Sequence, residues 1–129
     1  MSRGFALVVR FQLHDDAAAK GFDELVARTT PEIERLEPGT LAYVVHSVPD
    51  EPLIRVFYEL YADRAAFDAH EQQPHTKHFL AERVQYTSGV DVTFMQADSG
   101  KAPMPLCPPR GRTRPSGWSG TRSDAPASW

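Results

Sequence analysis

A single cysteine, Cys107, stands among the 129 residues, so no disulfide closes within the chain. The expected compartment is a reducing cytoplasm. Cys107 lies in a Pro- and Gly-rich stretch, where nothing would activate a thiol nucleophile. No apolar run approaches the roughly 18 residues that a membrane-crossing helix needs. The N-terminal MSRGFALVVRFQLHDD carries one basic residue before its apolar stretch. Arg10 and Gln12 interrupt that stretch, so it reads as folded chain rather than a signal peptide. GxGxxG, a phosphate-binding P-loop and GxSxG are all absent, which removes the readings that rest on those motifs.

Basic character is scarce where a fold is expected. Residues 1–98 hold nine Lys/Arg against sixteen Asp/Glu, and residues 99–129 hold five against one. An acidic body repels nucleic acid, so neither nucleic acid nor membrane is an expected partner. Six of the eleven prolines fall in residues 99–129, which show neither a 2.0 nor a 3.6 period. The expected organisation is one domain over 1–98, then an extended or disordered Pro/Gly/Ser/Arg-rich tail over 99–129.

Within 1–98 the periodicity is regular. Gly4 to Leu13 reads as a strand with Phe5, Leu7, Val9 and Phe11 on one face. Asp15 or Asp16 caps a helix whose apolar stripe is Phe22, Leu25, Val26, Thr29, Ile33 and Leu36. Pro31 is expected to kink or restart that helix, and Glu37-Pro38-Gly39 to end it. Thr40 to Ser47 and Leu53 to Tyr61 are strands around a Pro49–Pro52 turn. Asp63 caps a short helix through Phe67 and His70. Pro74 starts another that carries Phe79, Leu80, Arg83 and Val84. Gly89 to Gln96 is a last strand. This βαββαβ order predicts an α+β, ferredoxin-like antiparallel sheet with its helices on one face. The third strand is apolar on both faces, so the uncovered face is expected to pack on a second copy, giving a homodimer through the sheet.

Three pieces carry a resemblance: Glu37-Pro38-Gly39-Thr40-Leu41-Ala42-Tyr43, Tyr58-Glu59-Leu60-Tyr61-Ala62-Asp63, and Ala66-Phe67-Asp68-Ala69-His70 followed by Pro74-His75 and Phe79. Over roughly residues 4 to 97 the chain resembles the antibiotic biosynthesis monooxygenase domain of the dimeric α+β barrel proteins. The resemblance implies a homodimer with one pocket per subunit, between helices and sheet. It also implies oxidation of an electron-rich aromatic by dioxygen, with neither metal nor flavin as cofactor. The haem-degrading branch uses an asparagine, a tryptophan and a histidine where Val9, Tyr61 and Leu80 align, so it does not imply haem chemistry here. The anthrone-oxidising branch draws on Asn and Trp. This chain has no asparagine, and its two tryptophans, Trp118 and Trp129, lie in the tail.

The candidate groups follow from residue type and from that resemblance. His70 is the expected general base, a role that imidazole suits near neutral pH, with His75 next. The His70, His75, His78 spacing crosses the break at Pro74 and fits no metal motif, so no metal is expected. Glu59 is expected either to orient His70 or to pair with Arg55, four residues back on the same strand face. Tyr61 is the expected hydrogen-bond donor to substrate, because a buried hydroxyl needs a partner. Phe11, Tyr43, Phe57, Phe67 and Phe79 are the expected substrate-binding aromatics. The expected function is a cofactor-independent monooxygenase acting on an anthrone, phenol or quinol. The alternatives are a cyclase or isomerase in the same pocket and a non-catalytic small-molecule-binding dimer.

Overall fold

Helix and strand formation here follows from short-range chemistry. The computed structural model describes residues 4–102. The 99–129 tail therefore lies, from residue 103 on, outside the described residues. Five consecutive odd positions, from Phe5 to Leu13, are buried along β1 (Gly4–Leu13). Asp15 caps α1 (Asp16–Leu36), its carboxylate accepting from Ala18 N at 2.7 Å. β2 (Thr40–Val48) and β3 (Glu51–Tyr61) form a hairpin. Asp63 caps α2 (Arg64–Gln72) through a 2.8 Å bond from Ala66 N. Pro74 opens α3 (Pro74–Glu82), a 3₁₀ turn spans Arg83–Gln85, and β4 (Thr87–Ala97) closes the order.

The four strands form one antiparallel sheet in the order β2-β3-β1-β4, so the two most apolar strands are interior. This is the expected ferredoxin-like α+β arrangement. Phe22, Leu25 and Ile33 of α1 are buried, as are Phe67 and Phe79. Full burial of such a side chain stabilises by about 1.5–3 kcal/mol. The aromatics interlock, with Phe11 to Phe57 at 5.0 Å and Phe11 to Phe22 at 5.2 Å between centroids. None of the described helices is long and apolar enough to cross a membrane.

Several local expectations are corrected. α1 runs unbroken through Pro31. Both Pro31 and Ala27, four residues back, are exposed; solvent can satisfy the carbonyl that proline leaves without a donor. Leu36 and Val84 are not core: they are 42% and 59% exposed, Leu36 at the helix end and Val84 in the 3₁₀ turn that follows α3. Arg55 does not pair with Glu59. Its guanidinium takes both carboxylate oxygens of Asp23 on α1, each at 2.9 Å, because a planar fork matches a carboxylate better than a single contact does.

The sheet face without helices is less open than its alternation suggests. Ala6, Ile54 and Leu60 are buried, while Val8, Val56, Tyr58 and Met95 are half-buried. Register explains part of this. Ala6 lies between Leu60 and Met95, and Val8 between Tyr58 and Thr93, so cross-strand neighbours shield them. Val44, on the edge strand, remains exposed.

Candidate functional site

β3 supplies two of the predicted groups on its helix-facing side. Glu59 and Tyr61 are both fully buried. The Tyr61 hydroxyl donates to Glu59 Oε1 at 2.6 Å, and among the described residues Glu59 Oε2 has no hydrogen-bond partner. In register, Glu59 sits between Tyr43 on β2 and Leu7 on β1. Burial pushes the Glu59 carboxyl up to about 7. The His70 charge and the Tyr61 hydrogen bond oppose the shift, and the charges of Glu71 and Glu37 add to it. Burial also raises the Tyr61 and Tyr43 phenols well above the ordinary tyrosine value, helped in each case by Glu59.

His70 arrives from the last turn of α2, buried, with its ring 5.3 Å from that of Tyr61 and 5.6 Å from that of Tyr43. Its carboxylate partner is not Glu59, as expected, but Glu37. His70 Nδ1 lies 2.7 Å from Glu37 Oε1. His75 Nε2, from the first turn of α3, bonds to Glu37 Oε2. Thr40 Oγ1 donates to Glu37 Oε1 at 2.7 Å, and Thr76 Oγ1 lies 3.3 Å from His70 Nδ1. Gln73 both ends α2 and precedes α3. That turn brings two histidines five residues apart onto one carboxylate.

Glu37 is the functional candidate that sequence reasoning missed: it entered as part of a helix stop and of the Glu37–Tyr43 resemblance, with no role in the site. A signal was present. Glu37 caps the C-terminus of α1, where the helix dipole disfavours negative charge. Burial works to raise its carboxyl, yet His70, Thr40 and His75 together hold it below the ordinary value. Burial likewise works to lower the His70 imidazolium. The Glu37 hydrogen bond and the charges of Glu59, Glu37 and Glu71 leave it above the usual 6.5.

The substrate-binding expectations separate by position. Tyr43 and Phe79 line a crevice with Thr29, His70, Thr76 and Leu80, and none of it is wide enough for a water molecule. Phe11, Phe57 and Phe67 lie in the core behind it. Tyr43 also borders an outer groove of about 350 Å³ with Thr30, Pro31, Ile33, Glu34 and Leu41. Tyr43 thus borders both that groove and the crevice beside His70. His78 is exposed on the outer side of α3. Among the described residues, no group of three or more His, Cys, Asp or Glu is arranged to hold a metal ion.

Comparisons with known proteins place this geometry in context. A family model described as antibiotic biosynthesis monooxygenase matches residues 4–82, which ends at the last residue of α3. Among solved structures, Rv0793 from Mycobacterium tuberculosis is 27% identical with a TM-score of 0.66, covering 77% of this chain and 98% of its own. A candidate antibiotic biosynthesis monooxygenase from Caulobacter crescentus is 20% identical with a TM-score of 0.71, covering 75% and 92%. SnoaB from Streptomyces nogalater, a cofactor-independent oxygenase, is 20% identical with a TM-score of 0.66, covering 76% and 96%. The search of curated proteins gave no match.

Proposed function

Because the chain belongs to the antibiotic biosynthesis monooxygenase family, we propose that it oxidises an electron-rich aromatic substrate, an anthrone, phenol or quinol, with dioxygen and without a cofactor. The observation that carries this reading is the grouping of buried Glu59, Tyr61 and His70 with half-buried Tyr43 where the helices meet the sheet. The similarity in fold to SnoaB supports it.

The substrate supplies the electrons, so the protein has three tasks. It removes a proton, shields the resulting anion from water, and offers hydrogen bonds to developing negative charge. His70 is the base, and Tyr61 with the protonated form of Glu59 is the hydrogen-bonding pair. His75 shares the Glu37 carboxylate with His70, and Tyr43 and Phe79 form the aromatic wall. For an anthrone, the CH₂ group becomes a carbonyl; one oxygen atom of dioxygen is kept and the other leaves as water. A cyclase or isomerase using the same base is the non-oxidative variant. Each subunit is expected to keep its own site, within a homodimer formed through the sheet.

Turnover depends on pH in a stated direction. His70 accepts a proton only when neutral, and its pKa lies above 6.5. Activity is therefore expected to rise as pH climbs through that raised value, and to fall again as Glu59, whose carboxyl titrates at about 7, loses the proton it donates. The test is oxygen uptake by the full chain with 1,8-dihydroxyanthrone and with a hydroquinone, with no metal or flavin added. His70→Ala is expected to lower kcat about 100-fold or more. Unchanged turnover in that variant would remove His70 as the base.

One observation favours a second reading. The crevice beside His70 is too narrow for water, as expected of a non-catalytic binding module filled by its own side chains. On that reading no oxygen is consumed with either probe. Binding of the same aromatics then appears as a change in tyrosine fluorescence.

A further inference from the structure

The reading above assigns His70 the proton but does not say which ring nitrogen takes it. A buried carboxylate settles that choice. Glu37 is 7% exposed and accepts from three groups: His70 and Thr40 on Oε1, His75 on Oε2. An ionised carboxylate only accepts hydrogen bonds, so the nitrogens facing it must carry hydrogen. His70 therefore holds its proton on Nδ1, and in the neutral ring the lone pair is on Nε2.

Resting on the reading of His70 as the base, we propose that Glu37 is the positioning residue of this site: it fixes the His70 tautomer and ring orientation so that Nε2 receives the substrate proton. The geometry argues for more than a structural clasp. A charge at a helix C-terminus works against the dipole, and a buried carboxylate is costly unless paired. An apolar residue would seal the α1–β2 corner without either cost. A histidine held by a carboxylate on its far nitrogen is also the arrangement by which acid–base sites keep an imidazole in one tautomer and stabilise its cation. Glu37 uses its second oxygen on His75, so α2 and α3 are both tied to the end of α1.

Other groups face His70 as well. Tyr43 approaches from β2, Glu59 and Tyr61 from β3, Glu71 from its own helix, and Thr76 from α3. A pH profile alone would mix their contributions, so the deciding measurement is ¹⁵N–¹H NMR of His70 in the full chain. In the wild type, neutral His70 is expected as the Nδ1–H tautomer; an Nε2–H tautomer overturns the proposal. In Glu37→Gln the shape is kept but the charge is lost. The His70 titration midpoint is expected to move to lower pH, and the single tautomer to give way to a mixture. An unmoved midpoint and tautomer in a folded E37Q protein also overturn it.

Turnover supplies a second arm, with 1,8-dihydroxyanthrone as the probe. Glu37→Gln is expected to lower kcat about 100-fold with KM within about twofold, and to move the acid limb of the profile to lower pH. A structural clasp alone would reduce the amount of folded protein and leave that limb in place. If the wild type fails to oxidise the probe, the oxygenase reading fails while the NMR arm still decides the role of Glu37.

Discussion

Glu59 carries a carboxyl group in the buried end of β3, with one oxygen bonded to Tyr61 and the other without a partner among the described residues. Such a group is stable mainly when neutral. Its folded pKa of about 7 lies above the ordinary 4.5. The folded state therefore keeps a proton that the unfolded chain releases between those values. Stability must fall as pH rises from about 4.5 to about 7, and stay lower above that. At about 1.4 kcal/mol per unit, the loss is about 3 kcal/mol. The raised pKa of His70 acts in the same direction, so a variant is needed to isolate the Glu59 share. Glu59→Gln keeps an acceptor for Tyr61 and is expected to be about 3 kcal/mol more stable than wild type at pH 8 and equal to it at pH 4.5. Urea unfolding at the two pH values checks this. Parallel curves would mean that Glu59 does not carry the extra proton. On the proposed function the same change costs activity, an exchange of stability for chemistry.

At the scale of elements, the site depends on where α2 is held. Nine residues make too short a helix to be stable alone. Asp63 fixes its start, Phe67 its middle, and the His70–Glu37 contact its end. Gly39 permits that placement. A Cβ there would come within 2.7 Å of the Ala66 Cβ on α2, and Gly39 O also accepts from Ala62 N at 2.9 Å. Ala66 is one bond from a helix backbone and cannot swing aside. Gly39→Ala is therefore expected to destabilise by about 1–3 kcal/mol. It is also expected to push α2 outward, loosening His70 from Glu37. Thermal melting checks the first effect and the His70 NMR titration the second. A Tm unchanged by this methyl group would show that α2 has slack.

For the whole molecule, the open question is what meets the helix-free sheet face. Val44 is exposed there, with Val8, Val56, Tyr58 and Met95 half-buried. A band of this kind favours a partner of the same kind, and the homodimer proposed above uses it. Sedimentation equilibrium is expected to return near twice the 14.4 kDa chain mass. Val56→Lys, which places a charge in the middle of that face, is expected to return the single-chain mass with the fold retained by circular dichroism. A wild-type mass of one chain would refute the sheet-to-sheet pairing.

Much of the fold was legible in the sequence. The period of two in β1 and β3, the period of 3.6 in α1, the aspartate caps and the proline at the start of α3 all act between residues a few positions apart, and they gave the element types and the βαββαβ order. Tyr43, Glu59, Tyr61, His70 and His75 were also identifiable as a group, by residue type and by family resemblance. Their partners were not. Arg55 had an acid four residues away on its own face at Glu59 and took Asp23, 32 positions back. His70 had Glu59 as the expected orienter and took Glu37, 33 positions back. Periodicity says which face a side chain joins. It does not say which ends of distant elements converge, and a short-ranged, directional hydrogen bond is decided by that convergence. The tertiary structure therefore decided that the end of α1, given no role in the site by the sequence, holds the carboxylate that grips both histidines.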